Sequence, residues 1–329
     1  MARIHGLFLA LCTACAHSTP CDLHSRIDLA LDDTATPTLA DFDGDEELEL
    51  FVGEPSEWST WELSDPPHQL ARSPALEPVD ALLPFQFGDQ RALLLRGSEL
   101  LIVSWPDLEL LARRPRHALG DEVLGQRLLV ALERDAALVI DPVSEERFEI
   151  RHPGARLSGA ATDESGTLAL VFEFPGRSPT LALFTGDLAQ PTLSYLPWPR
   201  RTALVDALDL DFDPANPTET EFLVRRGGRL LVLDWQGTHW YETPPLVAQV
   251  SKSGLSIIDE YRQDRSGLAL LQVHDQVTLV FGCEHASCVD VLALPERAQP
   301  PQTVAFDHTG RINWIADGRL KRFRCQQAR

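Results

Sequence analysis

Short apolar runs recur along the whole chain, and turn residues separate them. Few stretches carry a sustained 3.6-residue period. Instead, runs such as Leu48-Glu49-Leu50-Phe51-Val52, Arg91-Ala92-Leu93-Leu94-Leu95 and Thr167-Leu168-Ala169-Leu170-Val171-Phe172 are bounded by Gly, Pro, Asp and Asn. Strands with a turn signal every 8–12 residues or so are the pattern of an all-β protein. The runs group into units that open near Thr38, Pro78, Asp121, Leu157, Leu204, Gly254 and Thr303. Their spacing of about 40 to 50 residues is that of a four-stranded propeller blade. Within a unit a strand leads to a polar turn. A strongly apolar strand follows, then a tight turn such as Arg226-Gly227-Gly228, then a third strand and often a fourth. Strands covered on both faces need no alternation, which accounts for Leu93-Leu94-Leu95 and Leu100-Leu101-Ile102-Val103.

The expected architecture is therefore all-β: a single β-propeller of about seven four-stranded blades. A ring of six or eight is the alternative, because the unit between 117 and 152 is short. The seventh unit reaches its third strand near Phe323 and lacks room for a fourth. The alternating stretch Ser25-Arg26-Ile27-Asp28-Leu29-Ala30-Leu31 precedes the first unit and is expected to complete the last blade. Closure of that kind removes the open sheet edges that invite aggregation.

The first residues read differently. Arg3 and His5 precede the apolar run Gly6-Leu7-Phe8-Leu9-Ala10-Leu11, and small residues follow. That is the build of a secretory signal over residues 1–16, with the propeller domain occupying 22–329. The apolar run is too short to span a bilayer as a stable helix. Two processing routes are open. Ala14-Cys15-Ala16 fits cleavage before His17, whereas Cys12-Thr13-Ala14-Cys15 resembles a bacterial lipobox and would put a lipid on Cys15. The expected location is outside the cytoplasm: as an outer-membrane lipoprotein, periplasmic or extracellular.

Export permits disulfides. With Cys12 and Cys15 set aside, Cys21, Cys283, Cys288 and Cys325 remain, and four cysteines allow three connectivities. Cys283 and Cys288 bracket a short polar segment, and Cys21 and Cys325 lie near the two ends of the mature chain. The pairing 283–288 with 21–325 is expected, with free thiols as the alternative. The second bridge would staple the closing blade.

A formal net charge of −20 argues against nucleic acid as a partner, since its phosphates select basic surfaces. The acidic residues concentrate in one stretch, Asp41-Phe42-Asp43-Gly44-Asp45-Glu46-Glu47-Leu48-Glu49. Carboxylates at alternate positions around a Gly-assisted turn are what a Ca²⁺ loop needs. With Leu50 the stretch resembles the FG-GAP and VCBS repeats of integrin-like propellers, whose pattern is D-F-[ND]-G-D-G-x-x-D-L. Glu46 stands where the family carries its second Gly, and Glu49 where it carries its last Asp. The resemblance implies Ca²⁺ held between the first two strands of a blade. Asp41, Asp43, Asp45 and Glu49 would be side-chain ligands, and Glu47 would offer its backbone carbonyl. A weaker echo, Asp209-Leu210-Asp211-Phe212-Asp213 followed by Glu221, has a longer loop with two prolines.

Catalytic patterns are lacking: there is no H-E-x-x-H, no G-x-S-x-G and no phosphate loop. The functional expectation is a non-enzymatic binding or scaffold protein of the bacterial cell envelope, its partner an unidentified protein or glycan. The alternative is a polysaccharide lyase or hydrolase with its site in the central channel.

Overall fold

A computed structural model describes residues 21–325, except 30, 32–34, 46, 65, 80, 118–119, 164–165, 187, 209–220, 236, 243–254, 264–265, 274–275, 282–289, 298–303, 307–310 and 317. The expected signal segment, Cys12, Cys15, Cys283, Cys288 and the loop of Asp209, Asp211 and Asp213 lie outside the described residues. Within them the chain forms seven four-stranded antiparallel sheets and no helix. The alternatives of six and eight blades are thereby removed.

Blades 1 to 6 each use four strands in sequence order. Blade 1 comprises Thr36–Ala40, Glu49–Gly53, Glu57–Glu62 and His68–Pro74. Blade 2 comprises Ala81–Phe87, Gln90–Arg96, Glu99–Ser104 and Leu110–Pro115. Blade 3 comprises Asp121–Leu124, Leu128–Leu132, Ala136–Ile140 and Arg147–Arg151. Its short first strand is the one that left the blade number open from sequence. Blade 4 comprises Arg156–Thr162, Leu168–Glu173, Thr180–Thr185 and Thr192–Pro197. Blade 5 runs from Thr202–Leu208 to Trp240–Glu242, and blade 6 from Leu255–Gln263 to Asp290–Arg297.

From blade 3 through blade 7 to blade 1 the first strands of adjoining blades touch, while fourth strands such as His68–Pro74 and Thr192–Pro197 are largely exposed at the rim. The core lies between blades. Leu93, Leu95, Leu101 and Val103 pack toward Phe51 and Trp58 of blade 1. Ala92, Leu94, Leu100 and Ile102, from the same two strands, pack toward Leu129 of blade 3. Successive side chains point to opposite faces of a strand, and here both faces meet another blade. That is why these strands are apolar without interruption. Leu94 is fully buried, so Leu94→Ala is expected to lower the unfolding free energy by about 3 kcal/mol, read from denaturant melts.

Blade 7 is assembled from both ends of the chain. Val304–Phe306, Ile312–Ala316 and Arg319–Cys325 are joined by Cys21–Asp28 as the outermost strand. The closing strand begins and ends earlier than the sequence pattern indicated. Its register runs Asp28 opposite Arg319 to Cys21 opposite Cys325. The expected alternation holds where side chains are described: Ile27 is half-buried between exposed Arg26 and Asp28. Ile27, Leu29 and Leu31 pack on a cluster that includes Leu320, Ile315, Leu39 and Leu50, which ties blade 7 to blade 1.

Candidate functional site

The acidic stretch connects the first two strands of blade 1, with Ala40 opposite Glu49 at the base of the loop. Two features set its shape. Phe42 is buried and stacks on Trp105 of blade 2, ring centroids 4.8 Å apart, which pins the loop into the seam between blades. Gly44 has φ of +76°, a backbone that L side chains rarely adopt. The Arg91 guanidinium of blade 2 also lies over it, so that a Cβ on Gly44 would stand 2.5 Å from Arg91 Nη2.

Between these anchors the carboxylates fold the backbone onto themselves. Asp41 Oδ1 accepts the N–H groups of Gly44 at 2.6 Å and Asp45 at 3.2 Å. Asp43 Oδ1 also accepts from Asp45 N–H, at 3.2 Å, and Asp45 Oδ1 accepts from Glu47 N–H at 2.9 Å. Glu49 Oε2 accepts the Phe42 N–H at 2.7 Å, from a side chain only 3% exposed. The result brings together one carboxylate oxygen each from Asp41, Asp43, Asp45 and Glu49, all within 4.8 Å of one another. The fourth acid of the set comes from the strand and not from the loop tip. The exposed Glu47 side chain does not join the set, and its N–H closes the turn on Asp45.

The electrostatics follow from the crowding. Burial pushes the Glu49 carboxyl up to about 8; the Phe42 N–H works against this, and the charges of Asp43, Asp41 and Asp45 add to it. Asp43 is raised as well, by burial first and then by the charge of Asp45. Like charges at such separations disfavour full ionisation. A divalent cation at the point of convergence reverses that preference, since it favours every carboxylate charged. The donor set fits one. Oxygens around a Ca²⁺ at about 2.4 Å lie at most about 4.8 Å apart, and these four meet that limit. A carboxylate has further lone pairs after accepting one N–H, so the turn bonds do not use up the donors.

Blade 4 makes the same connection without this chemistry. In blade 4 the turn closes on itself: Thr167 N–H donates to Asp163 Oδ1 at 2.7 Å and Asp163 N–H to Thr167 O at 3.1 Å. In blade 5, Glu221 occupies the register position of Glu49, opposite Leu208, and is 2% exposed. Sequence reading had marked the carboxylates. It missed Arg91 and the depth of Glu49. Only the blade-to-blade contact brings Arg91 to Gly44, and the position of Glu49 on the first residue of a buried strand was the available signal for its depth.

No protein-family model matches the chain, and no curated protein matches it. Solved structures do. The chain is similar to Raptor of Chaetomium thermophilum (15% identity, 95% of this chain and 30% of that one, TM-score 0.54). It therefore spans less than a third of the Raptor chain. It is similar over 94% of its length to 98% of BBS1N from a complex with ARL6DN (13% identity, TM-score 0.56). A streptogramin B lyase is similar over 93% of this chain and 98% of that one (10% identity, TM-score 0.51). At these identities the likeness concerns the fold. Together with the seven sheets it defines the class: a β-propeller of four-stranded blades.

Proposed function

We propose that the chain is an exported, non-enzymatic binding or scaffold propeller of the cell envelope, with a structural Ca²⁺ in blade 1 held as in FG-GAP and VCBS repeats. The observation that carries the metal is the convergence of Asp41, Asp43, Asp45 and Glu49 around a Gly44-dependent turn. In this reading Glu47 contributes its backbone carbonyl. The cation joins the loop to the strand beneath it and, through Phe42 and Trp105, steadies the seam between blades 1 and 2. Its role is structural, because the loop's own bonds already order the backbone and the deepest ligand is a core residue.

The binding reading rests on the fold, the export signal and the kinds of carboxyl that are perturbed. Among the described residues, those whose ionisation is displaced are Asp43 and Glu49 in the acidic loop and Asp141 in an outer turn. All three hold backbone turns together, which is a structural task. A polysaccharide lyase or hydrolase would instead be favoured by His, Arg and carboxylate groups converging at the channel. The partner is a protein or glycan at the envelope, and membrane attachment would come through a lipid on Cys15.

Thermal melting tests the metal. Full-length protein in excess Ca²⁺ is expected to melt several degrees higher than in chelator, since a ligand at a hundredfold its dissociation constant adds about 2.7 kcal/mol. Asp43→Ala should remove the difference. An identical melt in both conditions rejects the site. Affinity capture from envelope extracts tests the binding role, and turnover of a polysaccharide by the purified chain would overturn it.

A further inference from the structure

A cleft of about 660 Å³ crosses blades 2, 3 and 4. Its walls are the first-to-second connections of these blades and the third-to-fourth turns of blades 3 and 4. Strands alternate in direction within every blade, so all these connections emerge on one face of the ring. It is the face that carries the acidic loop of blade 1.

The chemistry of the walls is uneven. Among the described lining residues, Asp89, Asp141 and Glu146 face a single cation, Arg127, whose Nε donates to Gln86 Oε1 at 3.0 Å. Burial alone would raise the Asp141 carboxyl. The N–H of Val143, the Ser144 hydroxyl and the Ser144 N–H outweigh it, and the group sits below its ordinary value and stays charged. Val143, half exposed, and Leu188 give an apolar shoulder beside the acids. Gly125 and Gly166 approach closely across the seam between blades 3 and 4, leaving bare backbone on the floor. None of the described lining residues is aromatic.

That set of walls discriminates among ligands. Sugar faces are gripped by aromatic rings, and the cleft presents none. Anions meet three carboxylates. A segment bearing Arg or Lys beside an aliphatic side chain meets complementary charge and an apolar shoulder. The volume lies in the range of a pocket for a few residues. We propose that this cleft binds a short basic, aliphatic peptide segment of a partner protein. The assignment rests on the binding reading given above and narrows its partner from protein or glycan to protein.

The probe is a fluorescein-labelled peptide with alternating Arg and Leu, titrated with the full chain at physiological salt and read by anisotropy. A counterpart with Glu for Arg serves as the comparison. Saturable binding of the Arg peptide alone is expected. Asp89→Asn with Glu146→Gln should weaken it about fivefold, as expected for two exposed charge pairs, and each single change less. Asp135→Asn with Glu149→Gln removes the same charge elsewhere on blade 3 and should leave affinity within twofold. Unchanged melting of the variants shows that they fold. The proposal is overturned if the Arg peptide does not bind, if the Glu peptide binds equally, if both double variants lose affinity alike, or if a neutral oligosaccharide displaces the peptide. Capture from extracts separates the two readings. If wild type and the Asp89/Glu146 variant retain the same partners, the cleft assignment falls and the scaffold role stands. If wild type retains none, the scaffold role falls.

Discussion

In chelator, the unfolding free energy of this protein should fall as the pH rises from about 5 to about 8, by as much as about 4 kcal/mol. The source is Glu49, whose carboxyl is held up to about 8 in the folded protein against an ordinary value of 4.5. Between those values the folded state keeps a proton that the unfolded chain has released. Stability is then full below about 4.5 and is lost as the pH climbs toward 8. Each pH unit within the window carries about 1.4 kcal/mol. Asp43 is raised too and pulls in the same direction. Saturating Ca²⁺ should flatten or reverse the slope, because the cation takes the place of the proton on Glu49. Glu49→Gln separates the two effects. Glutamine is close in shape to the protonated acid and can accept the Phe42 N–H through its carbonyl oxygen. In chelator at pH 8 the variant should therefore be more stable than wild type, and at every pH it should lose its response to Ca²⁺. Denaturant melts at several pH values, with and without Ca²⁺, provide the measurement. A wild-type stability in chelator that rises between pH 5 and 8 would show that Glu49 is ionised in the metal-free fold.

Reduction of the oxidised protein should lower its stability by an amount of similar size, through the closing blade. Cys21 and Cys325 are register partners on neighbouring antiparallel strands. Such partners have Cβ atoms about 4.5–5.5 Å apart, near the separation that a disulfide spans. The closing strand is the one place where the fold depends on chain ends finding each other. A bridge there would enclose nearly the whole chain, and in the chain-entropy account a loop of that size is worth about 5 kcal/mol, less where strain or residual structure intervenes. In a Cys283→Ser, Cys288→Ser background, Cys325→Ser should melt at the temperature of the reduced parent and be indifferent to reductant. Alkylation followed by intact mass measurement should find Cys21 and Cys325 protected before reduction and modified after. Two reactive thiols in the folded protein, kept under oxidising conditions, would remove the bridge.

The two effects are linked through one apolar cluster. The cluster of Ile27, Leu29 and Leu31 with Leu39 and Leu50 joins blade 7 to blade 1, and Leu50 follows Glu49 directly. Closure of the ring and order in the acidic loop thus share one wall. Ca²⁺ in chelator-treated, reduced protein should recover less stability than in oxidised protein if the seam opens first.

Much of this protein was legible in its sequence, for a local reason. Turn residues fix where strands end, and strands buried on both faces must be apolar throughout. The period of the units and the need for an N-terminal closing strand followed from those two facts alone, whereas the choice of seven blades over six or eight came from the sheets themselves. The acidic loop was legible as well, because alternate carboxylates around Gly44 lie within a few residues of one another. What the chain could not declare was anything built from separate blades. The register of Cys21–Asp28 on Arg319–Cys325 depends on how the ring closes. The placement of Arg91 over Gly44 and of Phe42 against Trp105 depends on the twist between blades 1 and 2. The cleft of Asp89, Asp141 and Glu146 draws its walls from loops far apart in sequence. Propensity and patterning act over a few residues, so they determine strands and turns. Charge, burial and ligand geometry act through space, and only the closed ring sets which side chains share that space.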